Sequence, residues 1–262
     1  MPAVSPALRA LLANLVDYAG LFPPAALSLP IAAENYARYL GSENAWMLGR
    51  FVIPAAQLSQ LQNTGGWRIT VLSDTEVTAG DLPIESIETK TLRKFSRPTY
   101  CEIPLNDPDA LADVKRLGAY AKVRTGGLTP ASIPAAAAIA GFLGACARLH
   151  VPFKATAGLH HPVRSEHPLT YEANAPRAIM HGFVNVFLAA AFAWHGADES
   201  RIMDVLGETD PQAFHFDDDA HWRDAVLSTE QLAEARGHFA HNFGSCSFDE
   251  PLADLRRLGW LS

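Results

Sequence analysis

The sequence predicts an α/β protein whose parallel strands close into a (β/α)8 barrel of the TIM type. Short strand-like runs alternate with helical patterns along the chain, and this alternation is typical of parallel sheets. The chain has 262 residues, 48% of them hydrophobic, which is a common length for one barrel. Polar residues also stand at the ends of strand-like runs, just before glycine. We therefore expect one barrel domain over residues 1–262.

About eight runs rich in β-branched or aromatic residues predict the strands. They lie at residues 15–22, 46–53, 67–72, 99–105, 119–123, 152–156, 213–216 and 242–247. Helical patterns cover residues 31–40, 108–117, 133–149, 177–194, 229–239 and 251–258. Several have a start signal, such as Asp107-Pro108 or Ser228-Thr229-Glu230. Two regions have the weakest patterns. Residues 74–98 show no strong helix, and in residues 206–224 the pattern of the seventh strand, placed at 213–216, is weak.

Composition limits the classes of partner. The formal net charge of -7 leaves no basic stripe to replace phosphate counterions, which argues against nucleic acid. The most apolar run, residues 182–194, is shorter than the ~20 residues of a membrane-spanning helix. Cys101, Cys146 and Cys246 show no pairing pattern, which suits the reducing cytoplasm. We expect a cytoplasmic protein that binds a small molecule, and homo-oligomerisation stays open.

Two of the five lysines lie inside apolar strand-like runs that end in glycine: Lys122 and Lys154. A buried ammonium group must be paired, or its pKa must fall until the amine can act as a nucleophile. Side chains two residues apart share one face of a strand, so Lys122 projects with Arg124, and Lys154 with Thr156. In a parallel barrel such groups gather at the carboxyl ends of the strands, where catalytic residues lie.

Four segments, in chain order, resemble the deoxyribose-phosphate aldolase family of class I aldolases, which form (β/α)8 barrels. Residues 16–24 are similar to the Asp-containing opening of that family, and residues 122–129 to its Lys-Val strand and Gly-Leu-Thr turn. Residues 154–158, Lys-Ala-Thr-Ala-Gly, match the Lys-x-Ser/Thr-x-Gly element of its sixth strand. Residues 243–247 resemble its last-strand phosphate turn.

The resemblance implies that Lys154 is the Schiff-base nucleophile on the sixth strand. The family has a second lysine on the next strand, but no lysine follows Lys154, so Lys122 or Arg124 is expected to supply the positive charge. The fourth-strand aspartate of the family would fall near Pro104, and Glu102 is its displaced substitute.

Further candidates complete the expected active site. Asp17, Glu102 and His160 are candidates for proton transfer, and the two carboxylates could equally form salt bridges to the lysines. Glycine-containing turns could bind a phosphate or carboxylate through backbone N–H groups. The expected substrate-binding residues are Thr125, Gly126, Gly127, Thr156, Gly158, Gly244 and Ser245. The expected function is an aldolase-like lyase without a cofactor, acting on a small carbonyl compound that carries an anionic group.

Two other classes of protein stay open. A divalent-metal hydrolase or lyase would use His160, His161, His215 and the acidic run at residues 217–219. In extended conformation, that run would place His215, Asp217 and Asp219 on one face, but the preferred interpretation of the run is a solvated acidic turn. The third class is a non-catalytic barrel that binds an anionic metabolite.

Overall fold

The computed structural model describes residues 4–78 and 80–261, in which eight parallel strands close into a barrel. The predicted (β/α)8 TIM-type fold is therefore confirmed. The barrel strands are β1 (Val16–Tyr18), β2 (Leu48–Pro54), β3 (Ile69–Leu72), β4 (Ile84–Thr89), β5 (Thr99–Glu102), β6 (Tyr120–Arg124), β7 (Phe153–Thr156) and β13 (Ala240–Ser245). Strands outside the barrel are β8 (Ser165–Pro168), β9 (Arg177–Met180), β10 (Phe214–Phe216), β11 (Asp219–Trp222) and β12 (Ala225–Ser228).

Helices cover most of the outside of the barrel. They are α1 (Pro6–Leu12), α2 (Leu29–Leu40), α3 (Pro108–Leu117), α4 (Ala136–Leu149), α5 (Phe183–Trp194), α6 (Glu199–Gly207), α7 (Thr229–His238) and α8 (Asp249–Arg257). The start signals act as expected: the Asp107 side chain accepts a hydrogen bond from Ala110 N at 2.9 Å at the start of α3. Ser228 and Gln231 form a capping box at the start of α7.

The core lies between the barrel and its helices. In β6, Ala121 and Val123 join this outer core, while Lys122 projects from the opposite face of the strand into the barrel. Helix α5 is buried almost throughout, and its Phe187 stacks on Phe153 with ring centroids 6.2 Å apart. By length and composition alone, Pro130–Leu149 could cross a membrane, but its helical part is α4, whose inner face belongs to this core.

The prediction missed strand β4. Its sequence, Ile-Glu-Ser-Ile-Glu-Thr, lies in the poorly defined region and carries polar groups at positions that face the barrel interior. There Ser86 pairs with Thr70, with hydroxyl oxygens 2.7 Å apart, and Glu88 is buried. Because this strand points polar side chains inward, its pattern does not resemble that of a core strand.

The assignment of residues 213–216 as a barrel strand was wrong. Phe214–Phe216 forms β10, which pairs antiparallel with β11, and β11 pairs antiparallel with β12. The helix expected at 177–194 begins only at Phe183, because Arg177–Met180 pairs with β8 in a hairpin. Both errors have the same cause: antiparallel pairing with another segment decides the conformation, and local periodicity does not reveal it.

Candidate active site

A row of alternating charges crosses the barrel interior. Lys122 on β6 and Lys154 on β7 are register partners, and their residues are only 6% and 1% exposed. Lys154 Nζ binds Asp17 Oδ2 at 2.7 Å and also binds Glu88 Oε1. Lys122 Nζ lies 2.8 Å from Glu88 Oε2 and 2.9 Å from Glu102 Oε2. These residues, Asp17, Lys154, Glu88, Lys122 and Glu102, are called the charge row below.

Asp17 is held tightly at the inner end of the charge row. Arg50 N donates to Asp17 Oδ1 at 2.7 Å. A Cβ at residue 49 would lie only 2.2 Å from the same oxygen, so a side chain there would displace the Asp17 carboxylate. With its amide turned so that the nitrogen faces Asp17, Asn242 donates to Oδ2 at 3.3 Å and accepts from Arg50 Nη1 at 2.8 Å. Asp17 is fully buried, and its contacts fit a fixed counter-ion better than a proton-transfer group.

Burial and charge oppose each other at Lys154 and Glu88. Burial alone would raise the pKa of Glu88, but the charges of Lys122 and Lys154 lower it to about 2. Burial alone would lower the pKa of Lys154, but Asp17 and Glu88 outweigh burial and raise it. Ion pairing therefore compensates for the burial of Lys154, which is the first of the two alternatives open for a buried lysine.

A cavity of about 600 Å³ opens at the carboxyl ends of the barrel strands. Glu88, Glu102 and Lys122 line it, and Arg124 lines it near the surface, with 56% of its side chain exposed. Lys154 and Asp17 do not line the cavity but lie beneath these residues. The amine of the charge row that a ligand can reach is therefore that of Lys122.

The missed strand changes the count of strands. With β4 included, Lys122 lies on the sixth barrel strand and Lys154 on the seventh. Placing Lys154 on the sixth strand was therefore wrong. The fourth-strand acid is also corrected, because β4 carries Glu88, whereas Glu102 ends the fifth strand and Pro104 follows it.

His160 lies on the cavity wall in the loop after β7. Its Nδ1 is 2.9 Å from Glu250 Oε2 in the first turn of α8, while Nε2 makes no hydrogen bond within residues 4–78 and 80–261. Burial would raise the pKa of Glu250, but the hydrogen bond and charge of His160 lower it. The neighbouring His161 turns away, binds Asp254 through Nδ1 and does not line the cavity. His160 can therefore present Nε2 to a ligand.

The expected anion-binding turns fall into two groups. Gly127, Thr156, Gly158 and Gly244 line the cavity. Thr125 and Ser245 are buried, and Thr125 Oγ1 donates to Ala157 O at 2.6 Å.

Gly126 packs against Gly158 behind the cavity lining. A Cβ on Gly126 would lie 2.8 Å from Gly158 Cα. Thr125, Gly126 and Ser245 are not part of the cavity lining, and Thr125 and Gly126 support the turns through their contacts with residues 157 and 158.

The candidate metal ligands are not brought together. The chain turns between β10 and β11, so His215, Asp217 and Asp219 do not share one extended face, and the exposed Asp217 and Asp218 lie in the acidic turn that was the preferred interpretation. Asp217 instead lies 3.2 Å from His215 Nε2 and 3.3 Å from His221 Nε2. Strands β10 and β11 pack against α1, which precedes the barrel, whereas His160 and His161 follow β7. Within the described part of the chain, no group of three or more His, Cys, Asp or Glu residues could hold a metal ion.

Sequence reasoning missed three residues that shape the site: Glu88, Arg50 and Glu250. The alternation of polar residues at 86, 88 and 90 was a usable signal for Glu88. Glu250 is 90 residues from His160 along the chain, so no local pattern could have joined them.

Comparison of the chain with protein-family models, curated proteins and solved structures gave no match. The fold and the geometry of the cavity therefore carry the functional conclusion. A parallel (β/α)8 barrel with titratable groups around a cavity at the carboxyl ends of its strands is an architecture typical of enzymes.

Proposed function

We propose that this protein is a lyase of the class I aldolase type, in which Lys122 forms a Schiff base with a small anionic carbonyl compound. One observation carries the proposal: Lys122 lines the cavity, its Nζ lies between two carboxylates, and a second lysine binds the same Glu88 carboxylate. Lys154, the nucleophile that the sequence predicts, does not line the cavity, and its ammonium group is paired with Asp17 and Glu88.

Lys122 must lose a proton before its amine can attack a carbonyl carbon. Glu102, whose Oε2 lies 2.9 Å from Lys122 Nζ, is the proton acceptor in this proposal because Glu88 is shared with Lys154, whereas Glu102 lines the cavity with 18% of its side chain exposed. Lys154 supplies a fixed positive charge on the other side of Glu88. The charge row therefore supplies both a proton acceptor and a cation beside the nucleophile.

The reaction follows from an iminium ion on Lys122. Attack of the amine and loss of water form the iminium, which attracts electrons from the adjacent carbon. His160 Nε2 removes the proton from a hydroxyl group on the next carbon, the carbon–carbon bond breaks, and its electron pair forms an enamine. The aldehyde leaves, protonated His160 returns its proton to the α-carbon of the enamine, and water hydrolyses the resulting iminium to release the second product and Lys122.

The corrected strand count changes what the resemblance to the deoxyribose-phosphate aldolases implies. The segment that matches the Lys-x-Ser/Thr-x-Gly motif, residues 154–158, begins on the seventh strand, and Lys122 lies on the sixth. The resemblance implies a nucleophilic lysine on the sixth strand, a second lysine on the next strand and an acidic residue on the fourth. Lys122, Lys154 and Glu88 occupy these strands. This agreement supports Lys122 as nucleophile and Lys154 as the neighbouring cation.

Reductive trapping tests the proposal. The protein is incubated with sodium cyanoborohydride and a panel of aldehydes, hydroxyketones and 2-oxo acids, and is then digested with trypsin. Because trypsin does not cleave at an alkylated lysine, an adduct on Lys122 joins residues 117–124 in one peptide. An adduct on Lys154 would instead join residues 149–164.

We expect the adduct on Lys122, and we expect Lys122→Met to abolish it. The exposed Lys115 on α3 serves as the control for non-specific alkylation. An adduct on Lys154 would reject Lys122 as the nucleophile. Labelling of Lys122 no greater than that of Lys115 across the whole panel would reject the Schiff-base mechanism.

A further inference from the structure

The cavity above the charge row has two chemically different walls. Strands β4, β5 and β6 supply the charged wall, with Glu88, Glu102, Lys122 and Arg124. On the opposite side of the barrel, the segments at the ends of β1 to β3 contribute Phe22, Val52, Pro54 and Leu72 to the lining. The β8–β9 hairpin adds Leu169 and Met180, and these six residues are called the apolar wall.

We infer that the substrate is a 4-hydroxy-2-oxo acid with a branched apolar substituent, and that 2-oxo acids without the hydroxyl bind as uncleaved analogues. Its carbonyl and carboxylate would face Lys122 and Arg124, and its substituent would face the apolar wall. This inference deepens the proposed function and rests on it for the covalent step. The binding preference itself does not depend on that step.

Arg124 is placed to bind a carboxylate beside the reacting carbonyl. It lies two residues after Lys122 on the same face of β6. Its Nη1 is 3.9 Å from Glu102 Oε1, while Glu102 Oε2 is 2.9 Å from Lys122 Nζ. Both cations therefore adjoin one carboxylate and lie close enough for one small molecule to contact both.

The loose contact between Arg124 and Glu102 leaves guanidinium donors available to a ligand. A planar guanidinium forms paired hydrogen bonds with a carboxylate, whereas a phosphate site commonly collects several donors. A half-exposed arginine two residues from the nucleophilic lysine therefore fits the carboxylate of a 2-oxo acid, and the third lining cation, Lys90, lies just after the end of β4.

The apolar wall offers few partners to a polyhydroxylated substrate. Ser73 and Asp74 are polar residues at the edge of this wall, but their side chains are already hydrogen-bonded. Ser73 Oγ donates to Thr75 O at 2.8 Å, and Asp74 Oδ1 accepts from Lys90 N at 2.8 Å. Hydroxyl groups placed here would lose water without gaining partners, whereas a branched alkyl group would gain apolar contact.

Three probes test the inference: 4-methyl-2-oxopentanoate, pyruvate and the neutral ketone 4-methyl-2-pentanone. For each probe, the half-saturating concentration is the one at which cyanoborohydride trapping at Lys122 reaches half of its maximum. We expect the first to half-saturate at a concentration at least about tenfold lower than either of the others. Equal values for 4-methyl-2-oxopentanoate and pyruvate would overturn the apolar part of the inference. Equal values for the acid and the neutral ketone would overturn the carboxylate part.

Two variants assign the preference to residues. Arg124→Met should raise the half-saturating concentration of both acids about tenfold and leave the neutral ketone unchanged, with Arg116→Met on α3 as the exposed control. Val52→Thr should reduce the preference for 4-methyl-2-oxopentanoate over pyruvate about threefold or more, with the exposed Val226→Thr as control. An Arg124→Met variant with unchanged values for the acids would remove Arg124 from the site.

Failure of the proposed function can be distinguished from failure of the inference. If none of the probes is trapped, their binding to the intact protein is measured by calorimetry. The same order of affinities would support the inference while rejecting Schiff-base chemistry. Absence of any preference among the three would overturn the inference.

Discussion

Lys122 and Lys154 bind opposite oxygens of one carboxylate, with Lys122 on Glu88 Oε2 and Lys154 on Glu88 Oε1. The two lysines are not equivalent, because Asp17 closes the charge row on the side of Lys154, whereas the cavity adjoins Lys122. Lys154 is therefore placed to act mainly as a fixed charge, and Lys122 is placed to react.

Replacing each lysine by methionine should separate structural from chemical roles. Lys154→Met leaves Asp17 and Glu88 without a shared buried cation, so we expect a loss of about 3–5 kcal/mol in the free energy of unfolding. Lys122→Met should cost less, because Glu88 keeps Lys154 and the Glu102 side chain is 18% exposed. Urea unfolding measures both losses. Equal losses, or a larger loss for Lys122→Met, would contradict the difference between the two ends of the charge row.

His241 should make stability depend on pH below neutrality. Burial lowers its pKa from 6.5 to about 4, and its Nδ1 lies 2.8 Å from Tyr100 Oη. Because the folded pKa lies below the unfolded value, the folded state binds fewer protons in this range. Above pH 6.5 His241 is neutral in both the folded and the unfolded state, and stability is at its full value. As the pH falls from 6.5 towards about 4, the unfolded state binds a proton at His241 that the folded state does not, so the free energy of unfolding decreases.

The His241→Gln variant should therefore lose less stability than the native protein between pH 7 and about 4.5, as measured by urea unfolding. The exposed His215→Gln serves as control. His167, whose pKa burial also lowers to about 4, should keep part of the pH dependence in both variants. An unchanged loss of stability in His241→Gln would show that this residue does not contribute to the pH dependence.

Glu250 should act as a positioning residue for His160. A hydrogen-bonded carboxylate orients a histidine ring, so Glu250→Gln should slow proton transfer about tenfold or more without changing the extent of trapping at Lys122. The readout is deuterium uptake in heavy water at the carbon next to the carbonyl of 4-methyl-2-oxopentanoate, followed by NMR. His160→Gln should slow this uptake further, about a hundredfold, and His161→Gln is the matched control. Equal effects of the two histidine substitutions would contradict a specific role for His160.

The contact between Gly126 and Gly158 should be sensitive to one added carbon. Gly158 has a φ of +79°, and a Cβ there would lie 2.7 Å from Gly126 Cα. We expect Gly158→Ala to lower the free energy of unfolding by about 2–3 kcal/mol. Gly141→Ala within α4 is the control, because a Cβ there meets no atom within 4 Å and alanine favours helix. An unchanged stability with lost ligand binding would instead indicate that Gly158 acts mainly in binding.

The candidate active site could be predicted in part. The apolar context and glycine endings of the two lysine segments predicted strands whose polar side chains lie at one end of the barrel. His160 and the candidate Glu102 also lie at the cavity. The order of the two lysines in the barrel could not be predicted, because it depends on counting β4, whose inward polar residues hide its strand pattern.

The sequence alone determined the short-range features of this protein: the alternation of strands and helices, the helix starts at Asp107 and Ser228, and the burial of two lysines in strands. These depend on neighbours a few residues apart. Closure of the barrel decided that Glu88 is shared between the lysines, that Asp17 holds Lys154, and that Lys122 adjoins the cavity. Those contacts join strands far apart in the chain, and their charges stabilise one another only when the closed barrel excludes water from between them.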